Sequence, residues 1–410
     1  MPIASQFLAN ATGTVLASGT DFLEVGCGAL DWSATEAQVN IPWRAAGTFS
    51  GLYANMQTRA STSMLTVTFR NAGAAGNQTI SIGTAATGIF QDTIDSDVVV
   101  AGSKVDVEFV IPSGSITLEA MNVAFNVGTG STVTRLLNCG PANIALSSST
   151  SYYLPVGANV AIALETNAQF KSATTGTLNN LLTIITANAR PNATTFNSRV
   201  NAAAGSLTIS VGSASTGIFE DTSHSDVYAS GSLFNYQTIS GSGSATLAIQ
   251  VFGAQFVSGG TNMSVPFIIG GSAASISAGA ATLYYAAAGS AGHNTTDADA
   301  ANYALTTYTA SHMQAFVSAN SLTATTALAF MLGTVSGAQA ISIGSASTGF
   351  FADTTDVDIV TSTTKLISYR AEVGATGSTI TINTIGHWMS FPAAVVAAIQ
   401  HFLASLGCGG

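Results

Sequence analysis

The stretch ISIGTAATGIFQDT at residues 80–93 returns as ISVGSASTGIFEDT at 209–222 and as ISIGSASTGFFADT at 341–354. The glycines before the aromatic, Gly88, Gly217 and Gly349, are separated by 129 and 132 residues. That period is far too long for a solenoid turn, and each unit is large enough to bury a core of its own. The 410-residue chain therefore reads as three tandem repeats. Each copy of the motif assigns simple tasks. Gly gives backbone freedom. Phe90, Phe219 and Phe351 are expected to plug a core. Asp92, Asp221 and Asp353 are expected to cap the following turn through backbone amides.

Working outward from the motif, apolar residues alternate with polar ones. Leu65, Val67 and Phe69 alternate on one side, and Ile80 and Ile82 lead into the motif. Beyond it, Val105, Val107, Phe109 and Ile111 alternate with Lys104, Asp106 and Glu108. A period of two with β-branched residues reads as half-buried strand. NAGAAGNQ (71–78), with Gly73 and Gly76, and NAAAGS (201–206) read as hairpin loops. SITLEAMNVAFNV (115–127) reads as a separate closing strand of the first unit, matched by ATLAIQVFGAQFV (245–257) and STITINTIGHWMSF (378–391). In the third unit ASHMQAFVSAN (310–320) lacks the glycine of GTFSGLY, and Thr363 stands where the others have Gly102 and Gly231, which predicts a different backbone there.

The expected fold is all-β: three tandem antiparallel β-sandwich modules of jelly-roll-like type. The expected divisions are an N-terminal arm at 1–13, modules at 14–137, 138–268 and 269–391, and a helix with tail at 392–410. PAAVVAAIQHFLASL (392–406) has Pro392 at its first turn and Gly407 as its cap, the marks of a short helix. It is too short to span a membrane and packs on the third module or on a neighbouring subunit.

Charged residues are only 7% of the chain, against about 25% in ordinary soluble proteins. The surface must be wetted by hydroxyls and amides, which lose little entropy on ordering and suit a rigid assembly. The net charge is −10 and the ten Lys and Arg are scattered, so no phosphate-binding patch exists and nucleic acid is excluded as a partner. No segment offers about 20 apolar residues for a membrane span. The first residues lack a basic region and an apolar run, so no secretory signal is read. That combination fits a virion protein, released by lysis, or a mature chain whose signal has been removed. Cys27, Cys139 and Cys408 match no zinc or redox spacing; they are free thiols or members of a disulfide.

Two constellations invite a chemical reading. Asp92 and Asp97, Asp221 and Asp226, and Asp353 and Asp358 recur at one spacing, with Asp95 and Asp356 beside them. Clustered loop carboxylates suit calcium, yet the spacing is not that of an EF-hand, and turn capping with solvated loop charges is the preferred reading. No cofactor is expected beyond that calcium alternative. The five histidines, His224, His293, His312, His387 and His401, do not recur across the repeats, and no nucleophile elbow, metalloprotease helix or phosphate loop is present. Seven Glu and thirteen Asp are a sparse supply for acid–base pairs. Enzymatic activity is not expected. Phe22, Tyr152, Tyr153, Tyr284 and Tyr285 are core or interface aromatics, or else a sugar platform. Trp32 and Trp43 occur only in the first repeat.

Residues 37–127 resemble a module of structural and tail-fibre-like proteins of tailed bacteriophages. The resemblance is carried by IPWRAAGTFSGL, TVTFRNAGAAGNQTISIGTAATGIFQDT and VVVAGSKVDVEFV. Ser103 departs from the acid usual after the AG pair, and Ala72 from the glycine usual after Asn. The second repeat keeps most of the pattern and the third mainly its central motif. The resemblance implies a virion surface role and transfers no catalytic residue. The expected function is that of a non-enzymatic virion component (head decoration, collar or fibre) acting by packing with other virion proteins and with itself, as a homo-oligomer or part of a larger assembly. The alternatives are a receptor-binding adhesin for host glycans and a prokaryotic surface-layer or filament subunit. The three repeats form either a pseudo-threefold unit or an end-to-end fibre.

Overall fold

The computed structural model describes residues 5–10, 14–25, 32–126, 134–139, 151–154, 161–241, 245–258, 263–270, 275–277, 282–286, 295–304, 307–361, 366–374 and 379–391. The first stretch of chain holds β1 (Ser5–Asn10), β2 (Thr14–Glu24), β3 (Trp32–Ser33), β4 (Ile41–Pro42), β5 (Gly47–Arg59), β6 (Leu65–Asn71), β7 (Ala74–Ile82), β8 (Gly88–Val99) and β9 (Lys104–Asn126). The second holds β10 (Thr134–Cys139), β11 (Ser151–Leu154), β12 (Phe170–Lys171), β13 (Gly176–Asn188), β14 (Thr194–Val200), β15 (Ala203–Val211), β16 (Gly217–Tyr228), β17 (Leu233–Ser240) and β18 (Leu247–Ser258). The last holds β19 (Met263–Gly270), β20 (Ser275–Ser277), β21 (Leu283–Ala286), α1 (Asp297–Ala300), β22 (Asn302–Tyr303), β23 (Tyr308–Asn320), β24 (Thr326–Leu332), β25 (Val335–Ile343), β26 (Gly349–Val360), β27 (Leu366–Val373) and β28 (Thr379–Phe391). Short 3-10 turns cover Glu36–Gln38 and Glu165–Asn167.

The architecture is all-β, with several antiparallel sheets packed in sandwich-like pairs. In the second stretch the sheet order β10-β18-β13-β16 faces the order β11-β17-β14-β15. In the third, β19-β28-β23-β26 faces β21-β27-β24-β25. The first stretch has the same neighbours, but its two sheets are continuous through one strand. The first half of β9 pairs with β6 and with the end of β2; its second half pairs with β1 and β5. The separate closing strand expected at 115–127 is thus the far half of a single strand starting at Lys104. β2 accounts for the continuity, because it runs beside both halves and bridges them.

The alternation read from the sequence builds the cores. Leu65, Val67, Phe69, Ile80, Ile82, Val105, Val107, Phe109 and Ile111 are all buried between the sheets. Trp43 joins them, edge-on to Phe49 at 5.1 Å and to Phe125 at 4.9 Å, while Trp32 is 41% exposed.

Several expectations are corrected. The hairpins are tighter than the loops read from sequence: Asn71 pairs with Ala74 and Val200 with Ala203, leaving two-residue turns. Ala72 and Gly73 both take positive φ there, the geometry that matches the twist of the flanking strands. Gly76 lies inside β7 rather than in a loop. The N-terminal arm contributes a strand, since Ser5–Asn10 pairs with residues 121–126. The divisions at 137/138 and 268/269 fall within β10 and β19, whose ladders with β18 and β28 tie them to the strands that follow. The helix at 392–406, Thr363, Cys27 and Cys408 lie outside the described residues, as does the side chain of Cys139.

Candidate functional site: the repeated corner and the joints between repeats

The motif is the place where the chain leaves one sheet for the other. β7 pairs with β6 and β8 with β5, and β7 and β8 share no ladder. The same holds for β15 and β16, and for β25 and β26. Crossing over needs a sharp turn, which Ala85, Ala214 and Ala346 make with φ near +55° (55, 56 and 53). Gly88, Gly217 and Gly349 follow at φ 97, 113 and 106, where a side chain would be strained.

Two aspartates then bind the crossing strands together. Asp97, Asp226 and Asp358 accept the backbone N–H of Asn77, Ser206 and Ala338, each at 2.6 Å. Their second oxygens accept the next amide, from Gln78, Leu207 and Gln339. Asp92, Asp221 and Asp353 accept the amide of Thr79, Thr208 and Ala340 at 2.9, 2.9 and 3.0 Å. Their other oxygens accept amides two and three residues further on, at Ile94 and Asp95, Ser223 and His224, and Thr355 and Asp356. These carboxylates thus substitute for the missing β7–β8 ladder. Gly76, Gly205 and Gly337 leave room for them: a Cβ on Gly76 would sit 2.6 Å from Asp97 Oδ1. Burial pushes the Asp221 carboxyl up, but the amides of Thr208 and Ser223, the His224 ring and the Ser223 hydroxyl outweigh it and hold it at about 2. The Asp353 carboxyl is likewise low, because its amide donors outweigh burial.

Oxygens that face N–H donors are poorly placed to receive a cation. Among the described residues, no three His, Cys, Asp or Glu side chains gather as a metal set. Ser223, His224 and Asp221 lie together, but hydroxyl and carboxylate both engage His224 Nδ1. A proton relay needs the two ring nitrogens to serve different partners, so these three make a turn and no catalytic triad. No catalytic group is assembled among the described residues. Phe90, Phe219 and Phe351 are half-buried against the margins of the cores rather than plugged into them.

Other corner residues were not singled out from the sequence. The Arg59 guanidinium donates to the carbonyls of Ile82 and Gly83. At the same position Asn188 donates to Gly212 and Ser215, and Asn320 to Gly344 and Ser347, at 3.0–3.1 Å. The constant spacing of Asn188 and Asn320 from their motifs was the available signal. Gln78 and Gln339 each bridge the corner aspartate to a bulge in the next sheet, at the amides of Leu52 and Met313. That bulge takes positive φ at Gly51, Asn180 and His312 alike, so the third repeat keeps it without glycine.

The joints use the short helical turns. Glu36–Gln38 lies against β13, Glu165–Asn167 against β23, and α1 with β22 against β9. Each set of contacts joins one repeat to another: first to second, second to third, third to first. One strand position faces each joint. Tyr53 donates its hydroxyl to the Ala301 carbonyl at 3.4 Å. Leu182 enters the apolar cluster of the first repeat with Ile184 and Val251. Gln314 accepts from the Lys171 amide at 3.1 Å and donates to its carbonyl at 2.7 Å. The joint between second and third is apolar as well. Trp388 packs 6.1 Å from Phe170 and 6.0 Å from Phe256, donates to the Lys171 carbonyl, and helps merge two repeats into one cluster. An Arg44–Glu220 ion pair spans the first joint.

The turns are anchored from behind. Arg70 grips both oxygens of Glu36, at 3.0 and 3.2 Å, and reaches Glu108 at 3.4 Å. Arg199 grips Glu165 in the same way and reaches Gln237. The two guanidinium groups cover the rings of Phe22 and Tyr153 at 5.7 Å, so those faces are not open to a sugar. In the third repeat Asp297 accepts from Ser368 instead, and Arg370 pairs with Glu372.

No protein-family model matches the chain, and no curated protein matches it. A solved structure of infectious bursal disease virus, Gx strain, aligns over 97% of this chain and 82% of that one at 8% identity, with a TM-score of 0.20. So low a score transfers neither fold nor role. Among the described residues, no helix is long and apolar enough to cross a membrane.

Proposed function

We propose that the chain is a non-enzymatic structural protein of a phage-like virion, a decoration, collar or fibre component built as a single-chain trimer. Its units are three jelly-roll sandwiches, with working bounds of 5–126, 134–258 and 263–391 in place of the divisions read from sequence. The strand orders support this: in the second and third stretches each sheet has a four-strand path, and along those eight strands only the β14–β15 and β24–β25 hairpins keep chain neighbours in one sheet, the order that two Greek keys produce.

One observation carries the reading. The joints run head to tail and return to their start, from first to second, second to third, and third to first. Heterologous contacts that close give rings, and those that do not close give filaments. The Tyr53–Ala301 contact joins residues 248 positions apart, which an end-to-end fibre of repeats would separate. The mechanism is therefore packing. Each repeat offers a helical turn to one neighbour and a sheet face to the other, while a surface with few charges meets the rest of the particle.

Electron microscopy of the purified full chain, with a glycan array beside it, tests the proposal. The expected result is a discrete three-lobed particle that neither polymerises nor binds glycans. Spontaneous filaments or two-dimensional sheets would point to a surface-layer subunit, and saturable glycan binding to an adhesin.

A further inference from the structure

The first repeat carries an unbalanced charge behind its joint turn. Asp106 is fully buried on β9, and its carboxyl lies against that of Glu36 in the joint turn. Across the sheet its register partners are Arg70 on β6 and Glu24 on β2, the latter also fully buried. Glu36 of the joint turn and Glu108 of the same strand complete the surroundings, through their shared hold on Arg70. Lys104 stands two residues away on β9, and Asp21 of β2 is buried nearby in sequence. Two fully buried carboxylates, Asp106 and Glu24, and two partly buried ones, Glu36 and Glu108, thus gather around one partly buried guanidinium. A carboxylate buried without a countercharge of its own is costly to ionise. Burial first, and then the neighbouring Glu36, push the Asp106 carboxyl up to about 8.

The other repeats keep the scaffold without the charge. The position of Asp106 is Asn235 beside Arg199 and Ser368 in the third repeat, and that of Glu108 is Gln237. Only the first repeat has an acid there.

We propose that the joint between the first and second repeats is proton-gated: a proton on Asp106, facing Glu36, keeps the 36–38 turn seated on β13, and its loss at alkaline pH unseats that turn. The chemistry is plain. Ionised Asp106 repels Glu36 and competes for Arg70, so the bidentate grip that anchors the turn is weakened. The core is spared, because Val105 and Val107 point to the opposite face of β9. The sign follows from linkage. A carboxyl whose folded value is raised favours the seated form at lower pH, and this advantage is lost as pH rises through about 8.

Hydrogen exchange of the full chain, corrected for intrinsic rates, tests this between about pH 6 and about pH 9.5. Protection of residues 36–43 is expected to fall by about tenfold or more, while the matching 165–171 segment stays constant. Asp106→Asn should remove the change, and Asn235→Asp should confer it on 165–171. Unchanged protection of 36–43 in the wild-type chain would overturn the proposal, as would an equal loss in Asp106→Asn. Should Asp106→Asn fail to fold, Asn235→Asp decides: no pH dependence at 165–171 is an equally adverse result.

Discussion

The corner and the joint are both repeated three times, yet they have diverged differently. At the corner, the same two aspartates accept the same backbone amides in all three repeats, at nearly the same distances. At the joint, equivalent positions carry Tyr53, Leu182 and Gln314, and the contacts are a hydroxyl, an apolar insertion and a two-way amide bond. The corner is a requirement of each repeat's own folding. Its donors are backbone amides, which do not mutate, so the acceptors cannot drift. The joint is made between side chains on surfaces that differ, so each pair is free to find its own solution.

If the joints carry unequal weight, the heaviest should be the one built on Trp388. Trp388→Ala leaves a void between Phe170 and Phe256 and should cost about 3–5 kcal/mol in urea unfolding, the usual range for a buried aromatic. A cost below about 1 kcal/mol would mean that the shared cluster of the second and third repeats is not a structural seam.

The corner predicts equality instead. Asp97→Ala, Asp226→Ala and Asp358→Ala each strand two backbone amides, and each should cost about 2–3 kcal/mol. Calorimetry that finds one of the three neutral would show that the corners are not interchangeable.

A smaller effect appears with acid. Asp221 is held at about 2 against an ordinary value near 4, so the stability it adds is complete above about pH 4 and is lost as pH falls toward 2. Asp221→Asn should flatten this part of the acid limb of a Tm-versus-pH curve. An unaltered limb would assign acid lability to other groups.

The smallest change is expected at the closing contact. Tyr53→Phe removes one long hydrogen bond to Ala301 and should cost about 0.5–1.5 kcal/mol. Small-angle scattering should show the ring intact. An opened particle would mean that this hydroxyl, rather than the packing of α1 and β22 on β9, holds the third repeat to the first.

Much of the molecule was legible beforehand. Period-two patterning at Leu65, Val67 and Phe69, or at Val105, Val107 and Phe109, names the inward face because a strand's side chains alternate strictly. The turn role of Asp92 and its equivalents was also readable, since Asp near a turn bonds amides a few residues on. The partnership of Asp97 with Asn77 was not, because it spans 20 residues and two sheets. Gly76 misled for the same reason. Glycine usually marks a loop, but here it sits in a strand beneath a carboxylate that arrives from the other sheet.

By itself, the sequence determined the threefold repetition, the strand character and the turn role of Asp92, Asp221 and Asp353, all of which follow from local spacing and backbone chemistry. Only the tertiary structure decided which turn meets which strand at the three joints and that Asp106 is buried behind the first of them. Both depend on surfaces brought together from distant parts of the chain. At those surfaces the repeats have different side chains, so periodicity along the sequence carries no trace of the contact.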